Sequence, residues 1–441
     1  VREWYYHSGG YPILDIMSDD ARKGSNPDDQ RNTVGPYDSF TITATADGLD
    51  RWWDEMYVGI KRANVVIEKV PLISMDTALR TRYVAEARFL RGLFYFDMVR
   101  AWGGVPLVLT TTTPFGMTRS SKEAVYAQVV SDLQFAVSHL PLKSQYTSSN
   151  DAGRATKGAA CSLLAKVYLY LHDYVNAEKY AMEVINSNEY LLESNFVDAN
   201  GVNGNNGVES IFEVGALQAE SVEGGGDQYA NTQGVRGTPN RGWGFNRPTQ
   251  EFRHSFEAGD PRIKGTIIDL NDTIDGIVIL GDGSTPDVTL SSTKDTIEVE
   301  CYNRKVWVPG NNTITQWGHH RRLLRYADVL LMAAEALNEN GKSGEALIYL
   351  NKVRERARNG NNSILPDITI TDQSQLRDII FNERRHELGL EGQRFWDLVR
   401  TGRANSVLGP LGFKSGKNEL LPIPQSEIDL SQGSITQNPN Y

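Results

Sequence analysis

Residues 321–358 read RRLLRYADVLLMAAEALNENGKSGEALIYLNKVRERAR, and their spacing decides the fold. Apolar side chains run at helical spacing from Leu324 through Val329, Leu330 and Ala333 to Leu337, and Asn340-Gly341 ends the run. A second predicted helix places Ala346, Leu347, Leu350 and Val353 on one face. Alanines where two helices must approach closely, with a short polar turn between them, predict an antiparallel helix pair. Such a pair cannot bury its apolar face alone and needs neighbours to stack on.

A second copy lies upstream. Residues 155–187 read ATKGAACSLLAKVYLYLHDYVNAEKYAMEVINS, with His172-Asp173-Tyr174 in the turn. Superposing the two segments places Ala165 on Ala334, Ala177 on Ala346 and Val184 on Val353. Both units resemble a tetratricopeptide repeat, so the expected fold class is mainly α: a scaffold of helical hairpins.

Working outward, residues 1–20 read as a helix ending at Asp19-Asp20, and 21–50 as an ordered polar loop. Residues 51–70 and 77–102 read as helices, the first closed by Pro71 and the second by Gly103-Gly104. Ser121 is placed to cap a helix running to about His139. From 190 to 320 the helical period fades, glycines gather, and short extended runs appear at 210–214, 265–270, 276–280 and 297–308. This is read as a long loop-rich insertion with small strands. Its aromatic residues argue against disorder. Helices return at 321–358 and 373–401, and the proline-marked C-terminal stretch is expected to wrap along the surface.

The 441 residues are read as a single domain, with the scaffold at 1–189 and 321–441 and the insertion at about 190–320. Net charge is −10, which argues against nucleic acid because phosphate binding needs a basic face. Cys161 and Cys301 cannot form a four-thiolate metal site. Cys161 is expected as a small buried side chain, with a disulfide between the two left open. No stretch approaches the roughly 18 apolar residues of a membrane span. Val1-Arg2-Glu3-Trp4 reads as the interior of a longer chain, with any export signal or lipid anchor expected upstream.

Catalytic signatures fail. His386-Glu387-Leu388-Gly389-Leu390 begins like a zinc-protease helix but lacks the second histidine. Residues 153–158 lack the spacing of a phosphate loop, and His319-His320 on a strand would point apart. No cofactor is expected; Asp282-Gly283-Ser284 would at most hold calcium weakly. The charges of Glu383, Arg384, Arg385, Glu387, Glu391 and Arg394 are read as intrahelical and inter-repeat ion pairs. Trp102 and Trp396 are read as packing residues.

Six blocks, in order, resemble the SusD/RagB group of outer-membrane nutrient-binding lipoproteins. They are WDEMYVGIKRANVVIEKVP (53–71), AEARFLRGLFYFDMVRAWGGVPLV (85–108), RPTQEFRHSFEAGDPR (247–262), RYADVLLMAAEALNENG (325–341), ERRHELGLEGQRFWDLVRTG (383–402) and the terminal LLPIPQSEID and QNPNY. The resemblance implies a helical body of four tetratricopeptide-like units supporting a loop-rich part. It implies a non-enzymatic cell-surface lipoprotein that captures an oligosaccharide and delivers it to a SusC-like TonB-dependent transporter. The lipid-bearing cysteine is not in this chain. Peptide capture, a tetratricopeptide scaffold binding only protein, and a glycoside hydrolase are the alternatives.

Sugar binding calls for an apolar platform against the C–H face of the ring, with polar groups spaced for its hydroxyls. The insertion offers Arg241, Trp243 and Phe245, then Tyr302, Trp307 and Trp317. In the early region, Asp20, Arg22 and Tyr37 are further candidates, because the resemblance implies that this part joins the ligand face.

Overall fold

The computed structural model describes residues 12–112, 116–148, 151–217, 226–283, 288–290, 296–310 and 318–441. The chain opens with a single turn, α1 (Ile13–Ile16), strand β1 (Ala21–Gly24) and a second short turn, α2 (Gly35–Asp38). The expected helix over 1–20 is therefore corrected: residues 12–20 hold one helical turn, and residues 1–11 lie outside the described part. The helical body follows as α3 (Leu49–Lys69), α4 (Thr77–Trp102), α5 (Lys122–His139), α6 (Lys157–Tyr170) and α7 (Tyr174–Asn186). The side chains of Asp76, Ser121, Thr156 and Asp173 cap α4 to α7 by accepting from the backbone N–H three residues on. Each cap satisfies an orphan donor of the first turn and fixes where the helix starts.

The insertion carries β2 (Ser210–Val214), α8 (Tyr229–Gln233), β3 (Phe245–Pro248), α9 (Gln250–Ser255), α10 (Arg262–Thr266) and β4 (Ile267–Asp269). Then come β5 (Thr273–Ile274), β6 (Ile277–Val278), β7 (Val288–Leu290), β8 (Thr296–Val299) and β9 (Cys301–Asn303). The described strands form only two-stranded antiparallel ribbons. β10 (Arg321–Arg325) brings the chain back to the body, which closes with α11 (Tyr326–Glu339), α12 (Ser343–Arg358), α13 (Gln373–Leu388), α14 (Arg394–Arg400), α15 (Ala404–Leu408) and α16 (Gln425–Leu430).

Successive helices from α3 to α7 pack on one another, and α11 docks on α6 and α7 before pairing with α12 and α13. The matched positions of the two units, Ala165, Ala177, Val184, Ala334, Ala346 and Val353, are all buried. The expected mainly α scaffold of tetratricopeptide-like hairpins is what the chain forms. Leu324 is a correction: it lies on β10, paired with β2 through Phe212, and α11 begins only at Tyr326. Trp52, Trp53 and Trp102 pack together in the core, with the ring centroids of Trp52 and Trp102 4.8 Å apart. Cys161 and Cys301 are buried free thiols, so the disulfide left open by the sequence is absent. Burial pushes the Cys301 thiol up to about 12.

A buried charge network stitches the insertion to the body. Arg325, at the end of β10, donates to Glu209 (2.7 Å) and Glu387 (2.6 Å) from Nη1 and to Glu391 (2.7 Å) from Nε. Arg262 of α10 reaches Glu383 at 2.6 Å, Arg356 of α12 reaches Glu209 at 2.9 Å, and Lys305 donates to the Glu387 carbonyl at 2.9 Å. The acids of α13 thus meet cations from other elements, which corrects the intrahelical part of the expected pairing. Burial alone would raise the Glu387 carboxyl, but the nearby Arg356, Arg325 and Arg262 hold it well below the carboxylate range. Charges so deeply buried persist only when paired this completely. Among the described residues, no helix is long and apolar enough to cross a membrane.

Candidate binding face

Strand β1 pairs antiparallel with β3, setting Arg22 opposite Arg247 and Gly24 opposite Phe245. The Ser25 N–H continues the ribbon by donating to the Gly244 carbonyl at 2.6 Å. The early loop and the insertion, both singled out from the sequence, therefore meet at one edge of the molecule. The run Arg241-Gly242-Trp243-Gly244 folds back on residues 231–235: Arg241 N–H donates to Val235 O, Trp243 N–H to Asn231 O and Gly244 N–H to Gly234 O, at 2.8, 2.8 and 3.0 Å. This fold-back needs glycine. A Cβ on Gly242 would sit 2.3 Å from the Asn231 carbonyl oxygen, and Gly244 has φ +75°. The flanking glycines thereby hold the Trp243 backbone in a fixed position.

Of the candidate rings, Trp243 keeps part of its surface open while Phe245, Tyr302, Trp307 and Tyr37 are buried. Trp317 lies outside the described residues. Tyr302 and Trp307 pack with Val235, Ile268, Ile274 and Ile279 in a small core of the insertion. The Trp307 indole donates to Asp275 at 2.7 Å, and Arg241 covers its face at 4.8 Å while donating to the Val308 carbonyl. The Tyr302 hydroxyl bonds the Glu300 carboxylate. Phe245 lies under the Lys23 ammonium, 5.4 Å from ring centroid to nitrogen. These rings hold loops in place rather than forming one shared concavity, because each has filled its surface with insertion or ribbon partners. Tyr37 belongs to the main core.

The polar candidates divide likewise. Asp20 is fully buried and receives Arg385 Nε at 2.6 Å, beside Asp19, which Arg394 grips at 2.8 Å. Both acids anchor the early loop to α13 and α14 instead of facing a ligand. Arg22 is half-buried and donates to the carbonyls of Ser18 and Ala21. Behind the ribbon, Asp15 accepts from the Gly392 N–H at 2.7 Å and from Asn246 at 3.3 Å. Burial, with Asp20 nearby, pushes its carboxyl up to about 7.

Two residues at this edge, Lys23 and Arg236, escaped the sequence reading. Lys23 Nζ donates to the carbonyls of Gly24, Asn26 and Asp29 at 2.9, 3.0 and 2.8 Å, organising the loop that follows β1. Arg236 spans from the insertion to Asp29. No local pattern marks either of them, since their partners are remote in sequence or are backbone carbonyls.

The remaining sequence candidates place as follows. His319 lies before β10 at hydrogen-bond distance, 3.1 Å, from the Lys305 carbonyl, while His320 turns to Glu213 at 2.5 Å. Burial and the Arg322 charge push His319 down to about 3, so it is neutral. Asp282 is engaged by Arg236 at 2.8 Å, and Ser284 of the same triplet lies outside the described residues. Among the described residues, no group of three or more His, Cys, Asp or Glu could hold a metal ion. A groove of about 660 Å³ lies elsewhere, on the body between α3 and α16, lined by Trp53, Tyr57, Met117 and Leu430. The edge around Trp243 thus offers one partly open aromatic surface on fixed backbone, with Asn240 exposed three residues before it in the chain. A partly open aromatic surface of this kind suits contact with a ligand.

Comparison with known proteins gives a consistent result. The SusD family model matches residues 208–418, and a model described as "Starch-binding associating with outer membrane" matches residues 18–169. The "SusD-like protein P38" of Formosa agariphila is 32% identical over 84% of this chain and 76% of its own length. A solved structure described as "Laminarin binding SusD-like protein" aligns with a TM-score of 0.83 at 30% identity, over 98% of this chain and 94% of that one. Surface glycan-binding protein A from Bacteroides thetaiotaomicron, solved in complex with laminarihexaose, aligns with a TM-score of 0.79 at 26% identity, over 98% and 93%.

Proposed function

The chain belongs to the SusD family, and from that membership we propose that it is a glycan-binding protein of the outer-membrane surface. It captures oligosaccharides and passes them to a SusC-like TonB-dependent transporter. One observation carries the placement of the site: Trp243 is partly open at the edge where the early loop and the insertion are joined by backbone pairing. An aromatic face on immobile backbone can cover the C–H face of a sugar ring at little entropic cost. Asn240, exposed three residues before Trp243, supplies a polar group for hydroxyls. Similarity to a laminarin-binding protein and to a protein solved with laminarihexaose favours a glucan as the first ligand class to test.

The mechanism is capture without covalent chemistry. The stacked helices keep the face in shape, and the buried network around α13 keeps the insertion fixed to them. Calorimetric titration with laminarihexaose, maltohexaose and a mixed oligopeptide pool tests the function, with a reducing-end assay run in parallel. Saturable heat with a saccharide and no new reducing ends is expected. Binding confined to peptides, or release of new reducing ends, would contradict it.

A further inference from the structure

The loop after β1 contains two non-glycine residues with left-handed backbone, Ser25 at φ 56° and Gln30 at φ 48°. Such conformations cost of order 1 kcal/mol each and persist only where the surroundings enforce them. Two cations do so here. Lys23 binds the loop from inside through three carbonyls. Arg236 binds it from across the junction: its Nη1 donates to Ser25 Oγ at 2.7 Å and to the Asp29 carboxylate, and its Nε forms an ion pair with Asp282 Oδ2 at 2.8 Å. Ser25 Oγ itself donates to Asp29 at 2.8 Å, which closes the cluster.

The same residue also touches the backbone that carries Trp243. A Cβ built on Gly244, the next residue, would lie 3.2 Å from the Arg236 Cβ. The Arg236 carbonyl accepts from the Tyr302 hydroxyl at 3.3 Å, tying it to the insertion core. The guanidinium therefore holds the early loop, through Asp29 and Ser25, against the turn at Asp282, and that loop is joined to the Trp243 strand by the Ser25 N–H bond to the Gly244 carbonyl. A planar, forked donor suits this bridging better than a point charge. Burial would raise the Asp29 carboxyl, but the hydrogen bonds from Arg236 and Ser25 hold it below its usual range.

We propose that Arg236 is a positioning residue for the binding face, a clasp that holds the early loop and the Trp243 strand in the ligand-ready arrangement before the glycan arrives. The proposal rests on the face assigned above. It differs from direct ligand contact in its kinetic consequence. If the clasp sets the fraction of molecules with a competent face, losing it lowers the apparent association rate and leaves dissociation unchanged. If Arg236 instead grips the ligand, its loss speeds dissociation.

The test compares wild type with Arg236→Gln and with Asp29→Asn, a milder change at a partly exposed partner. Deuterium exchange of the free proteins comes first. Exchange across residues 25–34 is expected to speed up by about tenfold in Arg236→Gln and by less in Asp29→Asn, with α11 and α12 unchanged. Surface plasmon resonance on immobilised laminarihexaose then follows the rates. A fall of about fivefold in association with constant dissociation is expected. Unaltered exchange in the 25–34 loop in both variants would overturn the clasp, and so would faster dissociation at unchanged association. Absence of saccharide binding by the wild type would count against the proposed function, while the exchange comparison still judges the clasp. If Arg236→Gln does not fold, Asp29→Asn carries both measurements.

Discussion

The Ser25 amide donates to the Gly244 carbonyl at 2.6 Å, so the loop that follows the first strand is fastened directly beside Trp243. Two segments far apart in the chain thereby become one surface, supported by helices that do not themselves form it.

Trp243→Ala is expected to weaken laminarihexaose binding by about 1.5–3 kcal/mol, the worth of one large apolar surface. That is roughly a tenfold to hundredfold rise in Kd by calorimetry. Because Trp243 is half-buried, its loss should change stability by less than about 1 kcal/mol.

Trp307→Ala should do the reverse. Its ring is buried in the insertion core, and its indole is bonded to Asp275. Truncation is expected to cost about 3–5 kcal/mol of stability, read by chemical unfolding of the insertion. A variant as stable as wild type would show that this ring is not the structural element its burial indicates.

Arg325→Met removes the cation shared by Glu209, Glu387 and Glu391. Leaving buried carboxylates short of a partner is expected to cost about 3–5 kcal/mol. Loss of the insertion's protection against proteolysis, with the helical signal in circular dichroism largely retained, would locate the damage at the seam between insertion and body.

Asp15 gives a pH signature. Its folded value of about 7 lies above the 3.8 of a free aspartate. Between those two values the folded state holds a proton that the unfolded state has released. Its contribution is thus fully present below about pH 4 and is lost as pH rises to 7. The change amounts to at most about 4 kcal/mol. Asp15→Asn removes this dependence, so wild type should lose stability relative to the variant from pH 4 to 7 and run parallel to it above. A difference constant with pH would show that Asp15 stays ionised throughout.

The helical body was legible because its signals are local. Alanines at matched positions, the cap at Ser121, the turn at His172-Asp173-Tyr174 and the stop at Gly103 each act within a few residues. The acids of α13 were legible as charges at helical spacing, but not as partners of Arg262, Arg325 and Arg356, since those cations arrive from other elements. The face was legible only in part. Trp243 and Trp307 look alike in sequence, and what separates them is that Trp307 is buried, with Arg241 over its face and its indole bonded to Asp275, while Trp243 keeps part of its surface open. The β1–β3 pairing has four-residue strands with no usable period, so nothing local announced that residues 21–24 would meet 245–248.

The most direct test follows the tryptophan side chains themselves. In a nitrogen-labelled sample, the indole N–H resonances are assigned by single substitution and followed during titration with laminarihexaose. The Trp243 resonance is expected to shift saturably, while those of Trp52, Trp102 and Trp307 hold still. A titration in which Trp243 stays silent while the saccharide binds elsewhere would contradict the central claim that recognition takes place at the junction of the early loop and the insertion.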